Sequence, residues 1–185
     1  MAHFSGSRGQ TGSTLVISLA ILIILMLLGV TSMTTSNTQY KLAGNLQFED
    51  SAMNNAEAAA SAAETALANG AVALLDPGFT TVYVSANGPV TPGLYPASSG
   101  IDPLSLDWTG NGGNGNGYSV QVAGGQSYII ELMSRNSRLL GSSQTISDRS
   151  SSGCNQVNTY RITGRGTSAR GASKHVQSFY SVLSC

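Results

Sequence analysis

Four polar side chains could in principle carry nucleophilic chemistry: His175, Ser173, Asp148 and Cys154. A working nucleophile needs an adjacent base and an orienting group. His175 instead opens an alternating strand pattern beside Lys174, and neither a serine nor a cysteine has a local nucleophile motif. No carboxylate pair stands in an apolar context, so the sequence reads as a protein without catalytic residues, and His175 as a satisfied surface histidine. The run Gly110-Asn-Gly-Gly-Asn-Gly-Asn-Gly117 lacks the Gly-Lys-Ser/Thr ending of a phosphate loop and does not lie between strand and helix. No cofactor is implied. Cys154 and Cys185 match no metal-site spacing, and no histidine accompanies them in a ligand pattern. Two late cysteines downstream of an export-competent segment suggest a disulfide in an oxidising compartment.

One further spot could be chemically altered from outside, the junction of Gly12 and Ser13. A short polar leader ends there, and an apolar run begins. Leu15 to Val30 is apolar apart from Ser18 and Gly29, and no charged side chain falls between Arg8 and Lys41. A bilayer core of about 30 Å takes roughly 20 helical residues, so the run is long enough to cross one. It is long for a secretory signal, and no Ala-x-Ala site follows it. Two readings of the run stay open: a leader cut on the near side of a retained helix, or an uncleaved single-span anchor. The leader carries one arginine, Arg8, a weak positive-inside signal that places it on the cytoplasmic side.

The elements that position these residues follow from periodicity. Residues 13–69 read as one helix, about 85 Å long at 1.5 Å per residue. In its second half Met53, Ala56, Ala60, Ala63 and Leu67 recur at three- and four-residue steps, the mark of a packed face. Glu49, Asp50, Glu57 and Glu64 fall largely off that stripe. Gly29 and Gly44 are points of softness, and Asn69-Gly70 is a stop. Residues 71–109 form a proline-rich connector with one strand candidate at 80–85. Strand patterns then cover 118–122, 127–133, 156–164 and 175–183, with turns at 123–126 and 165–171 and a serine-rich loop at 134–153. The expected fold is α+β: a long N-terminal helix, membrane-spanning in its first half, packed on an antiparallel sheet of about four strands. The expected parts are a leader at 1–12, a transmembrane half-helix at 13–34, an amphipathic half-helix at 35–70, a variable connector at 71–117 and the sheet region at 118–185.

Nine acidic and nine basic residues cancel. Seven acids and one base lie between Lys41 and Asp107, and two acids with seven bases lie from Glu131 onward. Such a chain can pair with copies of itself or with similar subunits, or simply carry solvated charges. The late bases with Tyr160, Phe179 and Tyr180 also admit a DNA- or glycan-binding module. They are scattered over some 40 residues, a weak electrostatic footprint.

These parts, in this order, resemble the type IV pilins, and in detail the PilX-type minor pilins. Ser13-Thr-Leu-Val-Ile-Ser-Leu-Ala-Ile-Leu22 with Leu28-Gly-Val-Thr-Ser-Met33 is similar to the family's helix start. Ala43-Gly-Asn45 and Ala56-Glu-Ala-Ala59 resemble its second helical signature. Thr159-Tyr-Arg-Ile-Thr-Gly-Arg-Gly166 with Val176-Gln-Ser178 resembles its last two strands. Residues 71–117 carry no resemblance. The resemblance implies cleavage by a prepilin peptidase at Gly12, N-methylation of Ser13 and a C-terminal disulfide of Cys154 with Cys185. It further implies a wait in the inner membrane of a Gram-negative envelope, then incorporation through the N-terminal helix into an extracellular pilus with major and other minor pilins, on an inner-membrane assembly platform. The implied role is initiation of pilus assembly at the filament tip, as part of twitching motility and adhesion; a pilus-borne adhesin or DNA-binding subunit is the alternative. The fifth mature position is Ile17, where major pilins carry glutamate.

Overall fold

The computed structural model describes residues 12–70, 76–81, 87–97, 99–110, 115, 117–138 and 156–183. The chain divides into two compact units, residues 1–46 and 47–185. Helix α1 (Ser13–Ala68) runs unbroken and supplies residues to both. Neither Gly29 nor Gly44 interrupts it. Its end follows the expected chemistry: Gly70 takes φ +67° and its N–H donates to Leu67 O, while Asn69 N–H donates to Thr65 O.

The second unit is an α+β body in which the helix lies on a five-stranded, mostly antiparallel sheet. The strands are β1 (Leu94–Pro96), β2 (Val120–Gln121), β3 (Gln126–Arg138), β4 (Gln156–Thr167) and β5 (Ser173–Leu183). β3 pairs antiparallel with β4 and β4 with β5. The other edge of β3 is shared, with β2 antiparallel at its start and β1 parallel further along.

The helix face that meets the sheet is alanine: Ala52, Ala56, Ala59, Ala60 and Ala63, closed by Leu67. Beneath it lie Tyr128, Ile130 and Leu132 of β3 and Tyr160 and Ile162 of β4. Small residues let the helix backbone itself approach the sheet, and β4 answers with Gly164 and Gly166. A methyl on Gly164 would collide with Ala56 O and stand 2.8 Å from Ala60 N; one on Gly166 would meet Ala52 O and Ala56 N. These glycines are therefore required by close approach rather than by a turn. Asn55 fastens the same stretch, donating to Thr167 O at 2.8 Å and accepting from Gln126 Nε2.

A short helix, α2 (Pro77–Thr80), adds Phe79 to this core. Asp76 caps it by accepting from Gly78 N–H at 2.8 Å, with Pro77 in the first helical position. On the opposite face of the sheet Tyr95, Ile101 and Trp108 pack on Ile129, with Leu106 beside them.

Several expectations need correction. Thr80 ends a helix rather than opening a strand, and residues 82–85 of that candidate lie outside the described residues. β1 is a fifth strand, parallel and three residues long, too short for a periodic signal; Pro96 fits there because an edge position needs no donor. β3 continues through Ser134 to Arg138, where polar residues suggested a loop. Register shifts at Leu132/Ser134 and Ser134/Ser137 break its alternation. Asn136, at φ +48°, is held there by donating its N–H to Asn158 Oδ1. β4 runs on to Thr167, so the turn tightens to residues 168–172, closed by Ser168 N–H to Ala172 O. Met53 is exposed, its place on the buried face taken by Ala52.

Gly164→Ala is expected to cost about 1–3 kcal/mol, the usual range for overpacking a full core. Gly44→Ala, whose methyl would meet nothing within 4 Å, is expected to be neutral or to gain up to about 1 kcal/mol of helix propensity. Denaturant unfolding of the full chain in detergent micelles checks both, and equal effects would refute the tight helix–sheet approach.

Candidate functional site

Ser13 to Met33 is exposed at every position, and its large side chains (Leu15, Val16, Ile17, Leu19, Ile21 and onward) point in all directions around α1. A helix apolar all round is one that is buried among other apolar groups or in lipid. Fully burying a single such side chain is worth roughly 1.5–3 kcal/mol, so a dozen of them left in water would outweigh the stability of an ordinary domain. α1 is long and apolar enough to cross a membrane.

Hydroxyls in and just after this segment bond back within the helix itself. Ser18 Oγ donates to Leu15 O at 2.9 Å, and Thr31 Oγ1 to Leu28 O at 3.0 Å. Thr34, Thr35 and Thr38 bond back to carbonyls three or four residues earlier in the same way. In hydrocarbon an unpaired hydroxyl is costly, and back-bonding removes that cost without an external partner.

At the start of α1, Gly12 precedes the first helical residue, Ser13, and a methyl there would meet nothing within 4 Å. Among the described residues no packing contact calls for glycine at that position. The first turn holds no acidic residue, and Ile17, just beyond it, is exposed. Cys154 and Cys185 lie outside the described residues, as do Asp148 and most of the 110–117 loop. The base of that loop is visible: Tyr118 N–H donates to Gly110 O, and Asp107 Oδ1 accepts from the N–H groups of Thr109 and Gly110. Those bonds, with Thr109's backbone the largest cause, hold the Asp107 carboxyl below its ordinary pKa.

Four of the late bases, Arg161, Arg165, Arg170 and Lys174, have partners in the same chain. Arg161 pairs with buried Glu131, which also accepts from Ser99 Oγ. Lys174 reaches Glu49 at 3.0 Å, joining an early acid to a late base. Arg165 lies over the Trp108 ring and Arg170 over Phe48, at 5.9 and 5.0 Å.

His175 is where the sequence reading fails. It is partly buried, its ring is 5.4 Å from Trp108, and its Nε2 is enclosed with no hydrogen-bond partner among the described residues. It lines a shallow hollow of about 280 Å³ with Asp102, Pro103, Leu104, Thr163 and Gln177. Nothing in the sequence near 175 announces this, because the cover comes from residues 102–108. Ser173 stands exposed at the start of β5, opposite Thr167.

Burial and then the Arg165 charge push the His175 pKa below its ordinary 6.5. The folded state thus binds this proton less readily than the unfolded chain. The stability it contributes is whole above the unfolded pKa and is lost as pH falls from there toward the folded value. Between about pH 7.5 and about pH 5.5 the urea midpoint, followed by fluorescence of the single tryptophan, is expected to fall more for the wild type than for His175→Gln; parallel pH profiles would refute this. No family model, curated protein or solved structure matches the chain.

Proposed function

We propose that this chain is a minor pilin of the PilX type that helps to start assembly of a type IV pilus and sits at or near the filament tip. The observation that carries the reading is α1 itself. One uninterrupted helix is apolar and exposed on every side through Ser13 to Met33, and alanine-faced and seated on an antiparallel sheet through Ala52 to Leu67. A subunit that waits in a bilayer and later packs into a helical filament core needs its first half free of internal partners. It needs its second half committed to a folded body.

Gly12 fits a processing site on the same grounds. No contact among the described residues requires glycine there, whereas a peptidase at the membrane surface needs unobstructed access to the backbone. Cleavage would leave the amine of Ser13 at the positive end of the helix dipole, with no acid in the first turn to offset it. A charge so placed at an apolar boundary is costly unless paired. A glutamate at the fifth position of a subunit arriving below could pair with it. Ile17 gives this chain no such group to offer a subunit above. That asymmetry favours the first position, with the filament growing beneath. The partners on this reading are the prepilin peptidase, the assembly platform, other minor pilins and the major pilin.

Intact-mass analysis of the protein purified from its native host is expected to show a chain beginning at Ser13 and bearing one added methyl group, while Gly12→Val retains the full leader. Deleting the gene is expected to remove surface filaments. Retention of residues 1–12 in the wild type, or normal filament numbers after deletion, would overturn the proposal.

A further inference from the structure

β5 closes the sheet. It pairs with β4 in unbroken register from Thr167↔Ser173 to Val157↔Leu183, and among the described residues no strand lies along its other edge. Proteins usually blunt such an edge with charge, proline, a bulge or a cover, because its free N–H and C=O groups template further pairing. From Val176 to Leu183 there is no charged residue, no proline, no glycine and no bulge. The one charged side chain of the strand, Lys174, is tied to Glu49.

The side chains on the outer face sharpen the point. His175, Gln177, Phe179, Ser181 and Leu183 alternate there, and Phe179 and Leu183 are 66% and 62% exposed. The hollow flanked by His175 and Gln177 has Leu104 on its rim, itself 79% exposed. Three large apolar groups thus line one margin of a strand whose outer edge no described strand covers.

We infer that β5 pairs antiparallel with β5 of a second copy of this chain, about a twofold axis through Phe179. In that register Phe179 faces its own counterpart, Gln177 faces Ser181, His175 faces Leu183, and on the helix-side face Val176 faces Val182. The two phenylalanines form a cross-strand aromatic pair. Each Leu183 comes to rest beside the other copy's His175, at the mouth of the hollow rimmed by Leu104. Moving the axis one residue, to Tyr180, would set Phe179 against Ser181 and Leu183 against Gln177, leaving both apolar groups opposite polar ones. Lys174 falls opposite residue 184, so no like charges meet. An axis at Ser181 would set Phe179 against Leu183, but over residues 179–183 alone, whereas the axis at Phe179 pairs the whole stretch from His175 to Leu183 with itself, as an isologous interface requires. The inference concerns β5 alone and does not rest on the filament reading.

The test uses the full chain in density-matched detergent micelles and sedimentation equilibrium. Gln177 and Ser181 are both exposed, so charged substitutions there leave the fold intact. Gln177→Glu with Ser181→Glu sets like charges opposite one another twice and is expected to weaken self-association about tenfold or more, on the scale of cross-strand charge pairs. Gln177→Glu with Ser181→Lys sets opposite charges in the same two places and is expected to restore it. A monomeric wild type, a Glu/Glu variant that associates like the wild type, or Glu/Glu and Glu/Lys variants weakened alike would each overturn the inference. The second of these outcomes is the one expected if copies meet only through α1.

Discussion

The approach of the α1 backbone to the β4 backbone sets the geometry of the folded unit. Around Ala52, Ala56 and Ala60 the helix has only methyl groups on its sheet side, and at Gly164 and Gly166 the strand has no side chain to hold it off. Close-packed interiors tolerate little volume change, so the helix has one resting position along this strip. Tyr128 and Tyr160, Ile130 and Ile162 then fill the wedge on either side as the helix cylinder curves away from the sheet. Phe79 of α2 completes it, 5.6 Å from Tyr160 in a tilted aromatic contact.

The opposite face of the sheet is finished differently. Glu131 and Arg161 face each other across β3 and β4, and the carboxylate is almost fully enclosed. A buried pair of this kind adds little net stability over an apolar pair, but removing one partner strands the other charge. Its effect is to fix register. Glu131 is also the residue opposite Tyr95 in parallel β1 and the acceptor for Ser99, so the segment that covers this face is located by the same carboxylate. The cover reaches β5 only at His175 and Gln177, and further along the strand Phe179 and Leu183 are exposed.

Much of this was legible in the sequence, for physical reasons that also mark where legibility ends. The apolar run, the alanine stripe and the Asn69-Gly70 stop are local signals, and the helix follows them to within a residue. The two long C-terminal strands alternate cleanly, because each has one face on the helix. What could not be read depends on partners far away in the chain. Gly164 reads as the end of a strand and Gly166 as part of a turn, and only the helix lying on them explains why neither bears a side chain. β3 was cut short because its bulges at 134–137 replace alternation with side-chain bonds such as Asn136 to Asn158. His175 looked solvent-facing because Trp108, 67 positions earlier, carries no signal that it will fold over that edge.

The apolar half of α1 and the folded unit supply different kinds of information to any assembly. In lipid there is no hydrophobic force between helices, and specific pairing relies on small residues that let backbones approach or on polar groups that bond across. Between Leu15 and Val30 the small residues are Ser18, Ala20 and Gly29, no two of them four apart. Ser18 spends its hydroxyl on Leu15 O within its own helix. The rest is leucine, isoleucine, methionine and valine, a surface that packs with many neighbours about equally well. It can hold this chain in an apolar phase strongly, yet it has little means of choosing between neighbours. Discrimination is a difference between affinities and needs directional groups. Among the described residues such groups lie on the folded unit, where no strand runs along the outer edge of β5.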